Sequence, residues 1–81
     1  MMNAVELTRE LIAVESTNPG MVESDMERFI LRYLYGTGAA LASEEVFPGR
    51  NNVMATLTGE EAAPSLVFVC HMDTVVEGPG W

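Results

Sequence analysis

The chain has 81 residues, 48% of them hydrophobic, which suits one small domain and is too short for two. Twelve acidic residues face four basic ones, a formal net charge of −8 that repels phosphate backbones and argues against a nucleic-acid partner. The single cysteine, Cys70, rules out an intramolecular disulfide, and the opening Met1-Met2-Asn3-Ala4-Val5-Glu6 has neither a basic segment nor a long apolar run. No membrane partner is therefore expected, and a reducing, cytoplasmic setting is.

Asn3 followed by Glu6 has the spacing of a capping box, and Leu7, Leu11 and Val14 recur at helical intervals, which predicts a helix over 4–15. Ser16-Thr17-Asn18-Pro19-Gly20 ends it in a tight loop, because proline disfavours helical angles at Asn18. Ser24 and Glu27 repeat the capping pattern. Met26, Ile30, Tyr33 and Leu34 then mark the apolar face of a second helix over 24–36, with Gly36 and Gly38 as stop signals. The acidic residues Glu6, Glu10, Glu23 and Glu27 read as solvated helix faces.

Residues 40–47 read as an edge strand closed by the turn residues Pro48-Gly49-Arg50-Asn51. Alternation of Val53, Ala55 and Leu57 with polar neighbours predicts a half-buried strand over 52–58. A polar loop over 59–64 leads to Leu66-Val67-Phe68-Val69-Cys70, a continuous apolar run expected to be a strand covered on both faces. The expected fold class is α/β, with two N-terminal helices packed on a three-stranded sheet.

In open α/β sheets, ligands bind beyond the carboxyl ends of the strands, where His71-Met72-Asp73 stands. Residues two apart in an extended segment share a side, so the His71 imidazole and the Asp73 carboxylate can meet. A metal-bound histidine needs its second ring nitrogen held by such an acceptor. Taken alone, such a triplet is more often a hydrogen-bonded structural histidine followed by a turn-forming aspartate than a metal site.

Taken in order, several features resemble the start of the zinc aminoacylase family, which includes acetylornithine deacetylase, succinyl-diaminopimelate desuccinylase, aminoacylase and glutamate carboxypeptidase-type enzymes. They are the opening helix ending in Ser16-Thr17-Asn18-Pro19-Gly20, the second helix, Pro48-Gly49-Arg50-Asn51-Asn52-Val53, and Leu66-Val67-Phe68-Val69-Cys70-His71-Met72-Asp73-Thr74-Val75 with Trp81 shortly after. The resemblance spans nearly the whole chain. It departs from the family at Cys70, where glycine is usual, and at Val76-Glu77, where a proline commonly follows. Strand alternation would turn Cys70 away from His71 as a small buried core residue.

The resemblance implies that residues 1–81 are the N-terminal part of a metallohydrolase catalytic domain. His71 would bind one of two zinc ions, with cobalt or manganese as alternatives, and Asp73 would orient it in the catalytic set. The substrate would be an N-acyl amino acid or small peptide. The bridging aspartate, the glutamate general base and the other ligands of the family have no counterpart in these residues, so the chain alone is expected to be inactive. Its apolar strand is expected to leave an unpaired edge and to favour self-association. The alternative is a small acidic α/β interaction module, with His71 and Asp73 merely capping a turn.

Overall fold

The computed structural model describes residues 2–18, 20, 23–60 and 65–80. Helix α1 (Ala4–Ala13) begins at the expected cap. The Asn3 side chain accepts from the Glu6 amide at 2.9 Å and its own amide donates to the Glu6 carboxylate at 3.0 Å. It stops two residues short of the expected end, with Val14 already extended. None of its residues is buried, and Ile12 is exposed, so α1 forms without contributing to a core.

Helix α2 (Ser24–Leu34) corrects the second capping box. Glu23 occupies the cap without a side-chain bond to the helix, and Ser24 is the first helical residue. Glu27 instead accepts from Ser43 and, at 3.0 Å, from Asn51, so a tertiary contact has taken the carboxylate that a local cap would have used. At the other end the chain leaves the helix at Tyr35. Gly36, at φ 83°, takes the left-handed position that a residue with a side chain would resist, and Thr37 bonds back to the Leu34 carbonyl.

Strands β2 (Ala40–Phe47) and β3 (Arg50–Thr56) form an antiparallel hairpin, paired from Ala40 opposite Thr56 to Phe47 opposite Arg50, with an irregularity between Glu45 and Phe47. Pro48 and Gly49 make the turn, Gly49 at φ 76°. The second strand starts and ends two residues before its expected position. Helix α2 lies against β3 and buries Met26 to 6% exposure, the one buried apolar side chain among the described residues.

Two short strands link distant parts of the chain. Thr17–Asn18 (β1), within the expected tight loop, pairs in parallel with Thr74–Val75 (β4), Thr17 opposite Thr74 and Asn18 opposite Val75. The Thr74 amide donates to the Ser16 carbonyl at 3.0 Å, and Ser16 is only 1% exposed, so the junction is firmly seated.

Among the described residues the fold is thus an α/β mixture of two helices and two two-stranded sheets. In place of a third strand, residues 65–70 run without ladder partners, and Leu66, Val67, Phe68 and Val69 are 81%, 74%, 80% and 93% exposed. The physical reason is the lack of neighbours: a strand apolar on both faces needs cover on both, and the hairpin packs chiefly against α2. The radius of gyration of 14.8 Å exceeds the roughly 12 Å of a compact chain this long. The accessible surface of 6940 Å² likewise exceeds the roughly 4,800 Å² expected for its mass. Residues 61–64 of the expected polar loop, Pro19 and Trp81 lie outside the described residues. No described helix is long and apolar enough to cross a membrane.

Candidate metal centre

His71 sits between the exposed apolar run and β4, three residues before the amide that anchors to Ser16. That anchor, together with the pairing of β1 to β4, fixes the backbone of 73–75 against 16–18. His71 itself is exposed, with 84% of its side chain accessible, whereas the Asp73 side chain is 34% accessible.

The imidazole Nδ1 lies 2.8 Å from the main-chain oxygen of Asp73 and 3.3 Å from its carboxylate Oδ1. Both are acceptors, so in the neutral ring Nδ1 carries the proton and donates it. Nε2 then holds the free lone pair and faces away from Asp73. This tautomer leaves Nε2 as the ring nitrogen able to take a metal. The expected carboxylate contact is present, but the nearer partner is the main-chain carbonyl, which a residue-type reading could not supply.

Asp73 is held from its other side. Its Oδ2 accepts from the Asn18 side-chain amide at 3.3 Å, so the two carboxylate oxygens serve two different residues. Nearby, Arg50 engages Glu23 through two of its nitrogens, Nε at 2.9 Å. This contact lowers the Glu23 pKa, against a smaller opposing effect of desolvation. It raises that of Arg50, to which the field of Asp73 adds a smaller share.

Phe47, Arg50 and Asn52 at the hairpin end form a shallow cleft with Cys70, His71 and Met72. Glu23 and Asp73 line it too, so its carboxylates outnumber its guanidinium two to one and its field favours a cation. Cys70 is corrected here: it is exposed and lines the cleft beside His71. With no strand over 65–70, the alternation that would have buried it does not operate.

No protein family, curated protein or solved structure matches the chain.

Among the described residues, no group of three or more His, Cys, Asp or Glu side chains converges as a metal site. The chain offers a cation one well-prepared imidazole nitrogen, and zinc, cobalt and manganese all accept such a donor. Asn18, Glu23 and Arg50 were missed as contributors. Asn18 stands in a segment read as a helix stop and Arg50 in one read as a turn, and the family resemblance that includes both segments assigns neither residue a role. Their meeting with Asp73 depends on contacts between residues far apart in sequence, for which the chain carries no local signal.

Proposed function

We propose that this chain is the N-terminal segment of a metal-dependent hydrolase that cleaves the amide bond of N-acyl amino acids or small peptides. His71 is a metal ligand through Nε2, and Asp73 orients it. The observation that carries this reading is the pair of Asp73 acceptors on Nδ1, which leaves Nε2 as the ring nitrogen free to bind a cation. Zinc is the expected metal, with cobalt or manganese as alternatives, and the setting is cytoplasmic.

A bound zinc would acidify a coordinated water and polarise the amide carbonyl. The work of this chain's residues is narrower. His71 holds, Asp73 fixes the tautomer and heading of the ring, and the Glu23–Arg50 pair braces the hairpin end beside them. Catalytic zinc needs about three protein ligands, so the isolated polypeptide is inert.

In the complete domain, Leu66 to Cys70 becomes the third strand, covered on both faces by elements beyond this chain. The surplus of accessible surface and the apolar character of the run support this completion. The same surplus also suits the second reading, an acidic interaction module whose partner covers the run.

The coding sequence beyond Trp81 discriminates between the two. An open frame carrying an aspartate in a glycine-rich stretch, then a Glu-Glu pair, is the outcome expected for the hydrolase. The extended protein should then release amine from N-acyl amino acids only with metal, and His71→Ala should abolish that release. A stop codon directly after Trp81, with no metal dependence of stability, would establish the module instead.

A further inference from the structure

We propose that Asn18 is a positioning residue for His71, acting through Asp73: its side-chain amide holds Oδ2 so that Oδ1 stays turned to the imidazole. This rests on the reading of His71 as a metal ligand and extends it to a residue 53 positions earlier in the chain. Asp73 as a carboxylate can only accept, so at 3.3 Å Asn18 must present its NH2 group to it. The carboxylate plane is then defined at both ends, by Asn18 at Oδ2 and by His71 at Oδ1. Without the Asn18 contact, Asp73 could rotate its carboxylate towards solvent or towards the neighbouring Arg50 charge. The ring would keep the main-chain carbonyl as its only partner.

Placement supports the assignment. Asn18 is half-buried on β1, opposite Val75, and the Thr74 amide is tied to the Ser16 carbonyl. The amide is therefore delivered by a backbone pairing and not by a freely moving side chain. Thr17, one residue earlier, pairs with Thr74 along the backbone, and their hydroxyls lie 3.5 Å apart, but its side chain makes no bond to Asp73. It provides a control on the same strand.

His71 is the only histidine, so nitrogen-15 correlation spectra of the 81-residue chain report its tautomer without assignment ambiguity. At a pH where the ring is neutral, the wild-type ring should be mainly Nδ1–H. Asn18→Ala should lower the ratio of Nδ1–H to Nε2–H by about threefold, the scale of one lost hydrogen bond. Asn18→Asp, equal in shape but an acceptor facing an acceptor, should lower it further, while Thr17→Val should leave it unchanged. If the two Asn18 variants leave the ratio unchanged in a Nδ1–H wild type, Asn18 has no positioning role and the His71–Asp73 reading survives. An equal drop in Thr17→Val would make the effect one of strand integrity and overturn the proposal. A wild-type ring found mainly as Nε2–H would overturn both this inference and the reading beneath it.

Discussion

Asp73 meets the His71 ring twice, its main-chain oxygen 2.8 Å and its Oδ1 3.3 Å from the same Nδ1. Removing the carboxylate therefore leaves a second acceptor in place. Loss of an orienting partner typically weakens metal binding by about 10- to 100-fold, and here the lower end is expected. Asp73→Ala should reduce zinc affinity about tenfold, and His71→Ala should remove the binding. Calorimetric titration, with the His71 resonances as a local reporter, measures both. Wild-type binding should itself be weak, because only one protein ligand is in place. Tight one-to-one uptake would contradict this account of the site.

The two capping patterns should respond differently to mutation. Asn3→Ala removes a bond that is made, so α1 should lose about 1 kcal/mol of local stability. Because no residue of α1 is fully buried, the loss should stay local, seen as about fivefold faster amide exchange in residues 5–12. Ser24→Ala removes no cap and should change stability by less than about 0.5 kcal/mol.

Met26 is the test of the small core. Truncating a buried methionine to alanine costs about 2 to 5 kcal/mol in well-packed interiors. No other apolar side chain is buried among the described residues, so Met26→Ala should cost about 2 kcal/mol, read from the urea midpoint at unchanged slope. Val69→Thr, on a side chain 93% exposed, should be neutral within about 0.5 kcal/mol.

What the sequence disclosed follows from how local each signal is. The Asn3–Glu6 spacing, the Pro48-Gly49 turn and the alternation through Val53 are carried by neighbours in the chain, and α1 and the hairpin form within two residues of their expected limits. Ser24 and Glu27 carried the same local pattern as Asn3 and Glu6, yet Ser43 and Asn51 competed for the Glu27 carboxylate. The Thr17–Asn18 strand depends on Thr74–Val75, and two-residue strands have no periodicity to detect. Leu66 to Cys70 has the composition of a central strand, but composition cannot provide the neighbours that make one. At the site, His71 and Asp73 were legible as a pair because they are two residues apart, while Asn18 and Arg50 join them only through the fold.

Acid should weaken the fold through Glu23. Its pKa is held below the ordinary glutamate value of 4.5, chiefly by the hydrogen bond to Arg50. A carboxylate lowered in the folded state stabilises the fold above its unfolded pKa, and that stability is lost as pH falls through the folded value. Melting temperature should therefore be flat through Glu23 above about pH 5 and fall below about pH 4. Glu23→Gln should lower the plateau and flatten the acid limb. Arg50→Ala should destabilise more than Arg28→Ala, because the Glu23 partner is nearly buried and the Asp25 partner of Arg28 is largely exposed.

The exposed run at Leu66–Val69 predicts self-association. The chain shows roughly 2,100 Å² more surface than a compact protein of its mass, whereas a standard dimer hides about 800 Å² on each partner. Unpaired backbone along an apolar segment is a template for strand pairing or exchange. Sedimentation equilibrium should show dimers or larger species at high concentration, and a clean monomer would refute this. Phe68→Lys places a charge in the run and should shift the isolated chain towards monomer with little loss of stability. In a protein extended beyond Trp81, the same lysine would be buried in the third strand and should unfold the domain, since an unpaired buried charge is among the most destabilising changes. If the run instead meets a partner protein, Phe68→Lys should spare the fold and abolish that contact. One substitution thus separates the hydrolase segment from the interaction module by whether stability or association is lost.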